Sequence, residues 1–248
     1  MSKSFTRFAV VALAATFAGS VFAEELRFEF SGNGTGDVGA LSTFFAPGSE
    51  TLGLTATLKN TSDAFWVAFS PGPNPKGHAG ELALYYFDAR NASNPIVTAY
   101  AYNGANGFTS AVDGSPASGT QAPDKIASSL VTPNFLNSAS VVNNGNGTRT
   151  FSMNLDATLI NDHTPLYPGS SPWLGSQWGD KLGIWFHAAD ITKGVYGADG
   201  FFKSDFSALD RGWLDTANMP ATPVPEPASM ALLGGAAAAL IARRRRKA

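Results

Sequence analysis

The sequence predicts an all-β protein: a single β-sandwich domain of jelly-roll type with long loops, between two apolar terminal segments. Three observations favour this class. Apolar and polar residues alternate in three segments, turn residues separate the apolar runs, and 26 glycines and 15 prolines accompany only 15% charged residues. Period-two alternation gives a strand one inward face, and abundant glycine and proline are typical of short strands joined by turns.

The alternating segments are 24–30, 51–59 and 150–159. Their predicted inward side chains are Leu26, Phe28 and Phe30; Leu52, Leu54, Ala56 and Leu58; and Phe151, Met153, Leu155, Ala157 and Leu159. Continuous apolar runs fit strands near the centre of a sheet, where both faces are covered. Such runs lie at 65–69, 82–87, 96–102 and 182–188.

Turn chemistry lies between these strands. The segments 32–35, 71–75 and 143–148 are rich in Gly, Pro and Asn, which supply the positive or fixed φ of tight connections. The stretch 103–133 is rich in Gly, Ala, Ser and Pro and has no periodicity. It is therefore predicted to be a long surface loop.

The charge of the central part is acidic. The two ends hold seven of the 17 basic residues, so residues 24–225 carry ten basic and 18 acidic side chains, a net charge of −8. An acidic domain repels nucleic acid, which argues against a nucleic-acid partner, and it tolerates cations such as calcium. The chain has no cysteine, so disulfides, thiolate metal ligands and cysteine catalysis are excluded.

Residues 1–23 have the three-part plan of a signal peptide. Lys3 and Arg7 precede an apolar run over 8–17, and small residues end at Ala23. Signal peptidase is therefore predicted to cut between Ala23 and Glu24. The alternative, a membrane helix that stays in the product, is less favoured because the apolar run is short.

The C-terminal part divides into three segments after a β-domain predicted over 24–215. Residues 216–227 form a proline-rich spacer, 228–242 an uncharged apolar helix and 243–248 a basic tail. Fifteen helical residues reach roughly 22 Å, less than a bilayer core of about 30 Å, but arginine snorkelling and local thinning close the gap. The basic cluster stays cytoplasmic, so the domain lies outside. A soluble core helix is the less favoured alternative, because this helix has no polar face.

These C-terminal residues resemble a PEP-CTERM sorting signal. The resemblance rests on Val224, Pro225, Glu226 and Pro227, the short helix, and the cluster of Arg243, Arg244, Arg245 and Arg246, and it covers about the last 25 residues. It implies a transient inner-membrane anchor, recognition and removal of the tail by an exosortase in a Gram-negative bacterium, and delivery to the surface or extracellular matrix. The resemblance also implies that these residues are recognised as a substrate and catalyse nothing.

Residues that bear chemistry are sparse in the middle of the chain. His78 and His163 lie in predicted loops and His187 in a predicted strand beside Trp185, where a structural role is favoured. The sequence has no Gly-x-Ser-x-Gly elbow, phosphate loop or His-Glu-x-x-His, so it predicts a protein that is not an enzyme. No cofactor is predicted apart from calcium, for which Asp199, Asp205 and Asp210 are weak ligands; solvated turn aspartates, including Asp215, are the favoured reading.

Tyr167, Trp173 and Trp178 lie in a segment rich in Pro and Gly. Exposed rings beside polar groups stack on sugars, although anchoring in the core is the favoured alternative for Trp173 and Trp178. Three functional classes result, in order of preference. They are a structural or adhesive protein of a polysaccharide or biofilm matrix, a carbohydrate-binding module, and a glycoside hydrolase.

Overall fold

The computed structural model describes residues 25–30, 34–70, 82–102, 124–165, 173–176, 179, 181–203 and 206–222. Within these ranges the chain is all-β. Its strands are β1 (Leu26–Phe30), β2 (Val38–Ala46), β3 (Thr51–Lys59), β4 (Ala64–Ser70), β5 (Leu82–Asp88), β6 (Ile96–Tyr102), β7 (Asp124–Ser128), β8 (Leu136–Asn143), β9 (Thr148–Asp156), β10 (Lys181–Lys193) and β11 (Ser207–Pro220). A 3-10 turn (Pro47–Ser49) and a short helix, α1 (Thr158–Asn161), complete the described elements.

The strands form two antiparallel sheets. The first sheet has the order β1-β2-β3-β9-β8, and the second has the order β11-β10-β4-β5-β6-β7. Between them lies an apolar core to which both sheets contribute. Phe151 of the first sheet packs edge-on against Phe65 and Phe87 of the second, with ring centroids 6.0 and 5.7 Å apart. The predicted β-sandwich is therefore confirmed.

The jelly-roll part of the prediction is wrong. Consecutive strands are mostly neighbours, as in β1-β2-β3 and β4-β5-β6-β7, whereas a jelly roll is built from two Greek keys. Alternation in a sequence fixes which side chains face inward, but it does not fix which strands become neighbours.

The predicted inward residues of the alternating segments are buried, except that Leu26 is half-buried and Leu159 is exposed. Phe28, Leu54 and Phe151 are almost fully buried. The strand predicted over 150–159 ends at Asp156, because the chain turns into α1, and Leu159 there is 46% exposed. The predicted turn at 143–148 is confirmed, since Gly145 and Gly147 adopt φ of 74° and 81°.

Four strands were not predicted. β7 lies inside the stretch 103–133 that was expected to be a loop, and its Ala127 is buried. β8 is an exposed edge strand and so lacks an apolar stripe. β2 and β11 each contain a register shift against a neighbour, which interrupts the alternation that sequence analysis relies on.

The edges of the two sheets meet on one side of the sandwich. The amides of Thr35 and Asp37 donate to the carbonyls of Trp213 and Arg211 over 2.8 and 2.6 Å, and the Thr222 amide donates to the Arg27 carbonyl over 2.6 Å. The sandwich therefore continues past residue 215, where the sequence predicted the β-domain to end, and includes Thr222.

Candidate functional site

The outer face of the second sheet carries a second apolar cluster, separate from the core. Part of this face is covered by residues 194–203 and Phe206, which we call the covering segment. In it Phe201 packs edge-on against Tyr100 with ring centroids 5.2 Å apart, and Phe206 packs against Tyr86 at 6.4 Å. The covering segment packs over β5 and β6, whereas Trp213 on β11 is 43% exposed.

A buried polar network holds the covering segment to the sheet. Asp88 is only 4% exposed and accepts hydrogen bonds from the Arg90 guanidinium at 2.7 Å and the Tyr196 hydroxyl at 3.0 Å. The Arg90 guanidinium also donates to the Gly194 carbonyl at 2.9 Å. The hydrogen bond to Asp88 raises the pKa of Arg90, and burial, followed by the charge of Asp88, raises the pKa of Tyr196.

A shallow cavity of about 290 Å³ opens beside this network. It is lined by Asp88, Arg90, Asn91, Asn94, Ile96 and Tyr196. Because Asp88 and Arg90 form an ion pair with each other, we interpret this network as structural: it holds the covering segment on the sheet.

Beside the covering segment, the outer face of the second sheet carries a row of rings on three neighbouring strands. The row consists of Trp66 on β4, His187 on β10 and Trp213 on β11; Trp66 and Trp213 are the cross-strand partners of His187. The His187 ring stands edge-on to Trp66 with centroids 4.4 Å apart. Trp213 is 43% exposed and the His187 side chain 21%. We call these three residues the aromatic row.

Carboxylates border the aromatic row. The Asp210 Oδ1 lies 2.9 Å from the His187 Nε2, and it also accepts the Gly212 amide at 2.7 Å. Burial raises the pKa of the Asp210 carboxyl, but the hydrogen bonds from Gly212 and His187 outweigh this effect and hold the pKa below its ordinary value. Asp215 lies opposite Trp185, two register positions from the His187–Trp213 pair and on the same face. The row therefore places aromatic rings beside hydrogen-bonding groups.

Of the three predicted sugar-binding rings, the structure describes Trp173 alone. The Trp173 indole packs against the core, and its Nε1 donates to the Ile160 carbonyl at 2.8 Å. This position supports the alternative that Trp173 anchors the core. Tyr167 and Trp178 lie outside the described residues.

The predicted calcium ligands that the structure describes are engaged in different pairs. Asp199 lies in a turn, where it accepts the Lys125 ammonium at 2.9 Å; this hydrogen bond lowers its pKa. Asp210 and Asp215 lie in β11, so they are strand residues and not turn residues as predicted. Asp205 lies outside the described ranges. Over the part of the chain that the structure describes, no group of three or more acidic, His or Cys side chains is placed to hold a metal.

Two of the three histidines are described. His187 lies in β10 and shares the outer face with Trp185, as predicted, with ring centroids 6.3 Å apart. His163 lies 3.4 Å from the carboxylate of Asp124, which is almost fully buried. His78 is not among the residues that the structure places.

Sequence reasoning did not find Trp66 or Trp213. Trp66 lies in the apolar run 65–69, where alternation cannot separate the two faces because both are covered with apolar side chains. The sequence did contain one indication of Trp66: its ring is large, whereas Ala64 and Ala68, its neighbours on the same face of β4, are small.

The two ends of the chain carry the other predicted sites. Ala23, Glu24, the Pro-Glu-Pro residues and Arg243 to Arg246 all lie outside the described residues. Residues 223–247 match the family model of the PEP-CTERM protein-sorting motif, which confirms the resemblance found in the sequence. A comparison with curated proteins finds no match. Among the helices that the structure describes, none has the length and hydropathy to cross a membrane.

Proposed function

We propose that this chain is an exported surface protein that an exosortase sorts and processes, and that its β-sandwich has a structural or adhesive role in an extracellular polysaccharide matrix. The observation that carries the proposal is the match of residues 223–247 to the PEP-CTERM protein-sorting motif. The described residues end at Thr222, and the matched motif begins at the next residue. Export through the inner membrane, with signal peptidase and the exosortase as partners, follows from the two terminal signals.

The experiment is an intact-mass measurement of the protein recovered from outside the cell. The expected product begins at Glu24 and lacks residues 228–248. Glu226→Ala is expected to leave export intact while the unprocessed tail is retained in the membrane. Glu29→Ala, which changes an exposed glutamate on β1, is the matched control and should be processed normally. An extracellular product that retains its arginine cluster would contradict processing by an exosortase.

A second candidate function is that of a carbohydrate-binding module. It is favoured by the aromatic row, because ring faces flanked by hydrogen-bonding groups are suited to pyranose rings. This candidate is compatible with the first, since a matrix protein that binds polysaccharide is adhesive. Calcium dependence stays a prediction from the acidic composition.

A further inference from the structure

We propose that the aromatic row of Trp66, His187 and Trp213 is the polysaccharide-binding site of this protein, and that its ligand is a neutral, extended glycan lying across the strands. The inference rests on the second candidate function above and assigns its site and ligand class. It replaces Trp173, whose ring the structure places against the core.

The spacing of the row fits a linear ligand. The three residues lie on the adjacent strands β4, β10 and β11 and are direct cross-strand partners. Neighbouring strands are about 4.8 Å apart, so the backbone positions of Trp66 and Trp213 are about 10 Å apart. This distance accommodates successive sugar units of one extended chain, with the two indoles under different units and His187 between them.

The Trp66 ring and the Trp213 backbone are held in place in the free protein. Two hydrogen bonds join the backbone of Trp213 to Thr35: its carbonyl accepts the Thr35 amide at 2.8 Å, and its amide donates to the Thr35 hydroxyl at 3.1 Å. Trp66 is wedged between His187 and Tyr86, with ring centroids 4.4 and 5.4 Å away. Rings that are already ordered lose little conformational entropy when they bind a ligand.

The polar groups at the row select the class of ligand. His187 and Asp210 form a hydrogen-bonded pair at the edge of the rings, where sugar hydroxyls would lie. The Asp210 side chain is 63% exposed, and residues 24–225 carry a net charge of −8; this negative charge repels uronate and sulfate polymers and favours neutral glycans. The same charges disfavour a second copy of the chain as the occupant, since a symmetric contact would bring like charges together.

The test is affinity electrophoresis of the processed extracellular protein in gels that contain hydroxyethyl cellulose, a neutral glucan, or alginate, a polyuronate. Wild type should be retarded by the neutral polymer alone. Trp213→Ala should weaken retention at least about tenfold, the loss expected when an aromatic anchor of a contact is removed. The matched control is Leu209→Ala, which removes an exposed apolar side chain, 51% exposed, from the same strand. Its retention should equal that of wild type.

The outcomes separate the site from the function. If Trp213→Ala and Trp66→Ala are both retained as strongly as wild type, the assigned site is overturned, but carbohydrate binding by the protein stands. Retention by alginate alone overturns the ligand class. If neither polymer nor the host's own polysaccharide retards the wild-type protein, the carbohydrate-binding function is overturned together with its site. The sorting proposal does not depend on this result, because the intact-mass measurement tests it separately. Because Trp213 is exposed, Trp213→Ala should keep the wild-type thermal midpoint, and a variant with a lowered midpoint is replaced by Trp213→Leu.

Discussion

The amide of Thr222 donates a hydrogen bond to the carbonyl of Arg27 across 2.6 Å, so the last described residue lies against the first strand. The start of the folded domain and the start of the sorting motif are therefore neighbours at one edge of the sandwich. The motif begins at residue 223, immediately after this contact.

This contact can be tested with Thr222→Pro, which removes the donating amide. We expect the free energy of unfolding to fall by about 1 kcal/mol, the net contribution of a hydrogen bond. Urea unfolding of the secreted protein is the measurement. Thr222→Ala keeps the amide and serves as the control. Equal stability of the proline variant and wild type would show that the contact contributes nothing.

A second prediction concerns Gly212, where β11 meets the segment between β1 and β2. Gly212 adopts φ of 125°, and a Cβ there would collide with the carbonyl of Thr35. Gly212→Ala should therefore destabilise the protein by about 3 kcal/mol or more, since backbone strain and overpacking add.

The matched control is Gly145→Ala, in the turn between β8 and β9. Gly145 also has positive φ, 74°, but a Cβ there meets nothing within 4 Å. It should cost only about 1 kcal/mol, the strain of a left-handed residue. Thermal unfolding of both variants is the measurement, and equal costs would show that the close approach to Thr35 is unimportant.

Local patterns predicted the sandwich and most of its interior. Leu52, Leu54 and Leu58 could be placed inward because one face of β3 is apolar and the other polar. The topology could not be predicted, because the pairing of β9 with β3 joins residues that are distant in sequence. The aspartates of β11 were predicted to lie in turns because a strand with few apolar residues and a bulge at Gly212 shows no alternation.

The candidate site was less predictable than the fold. A tryptophan ring gives no indication in the sequence of whether it packs inward or outward. Trp173 was weighed as a sugar platform and packs against the core, whereas Trp213 was not considered and is 43% exposed. Whether Trp66 and Trp213 face inward or outward depends on the register of β10 against β4 and β11, which only the structure supplies.

The third prediction distinguishes the two roles considered for Trp173. The segment around it is tied to the sandwich by the Tyr85 and Ser176 hydroxyls, 3.0 Å apart, and by the bond from the indole to Ile160. Trp173→Ala should lower the free energy of unfolding by about 3 kcal/mol, at the lower end of aromatic-to-alanine losses because the ring is half-buried. Trp173→Phe, which removes chiefly the hydrogen bond, should cost about 1 kcal/mol.

Polysaccharide retention decides whether Trp173 also binds ligand. At a temperature where both variants stay folded, retention in the neutral-glucan gel should equal that of wild type. A folded Trp173→Phe or Trp173→Ala protein with lost retention would restore the segment 167–178 as a binding surface.

The last prediction concerns the pH dependence of stability. Asp63 lies between β3 and β4, and its Oδ1 accepts the Ile191 amide at 2.9 Å. Burial raises the pKa of this carboxyl; the hydrogen bond from Ile191 opposes that rise, and the nearby carboxylates of Asp190 and Asp88 add to it. The ionised group is therefore less favourable in the folded protein than in the unfolded chain.

Asp63→Asn keeps an oxygen that can accept the Ile191 amide but removes the charge. Because the pKa of Asp63 is raised in the folded state, its ionisation destabilises the protein at pH values above that pKa. The variant should thus be more stable than wild type at pH 7. This difference in the free energy of unfolding should shrink as the pH falls through the raised pKa. It should vanish below about pH 4, where the carboxyl of the unfolded chain is also protonated. Urea unfolding from pH 3 to 7 measures this, with Asp162→Asn, which removes an exposed carboxylate from the C-terminal end of α1, as the control for net charge. A lower stability of Asp63→Asn than of wild type at pH 7 would show that the ionised carboxylate stabilises the fold through its bond to Ile191.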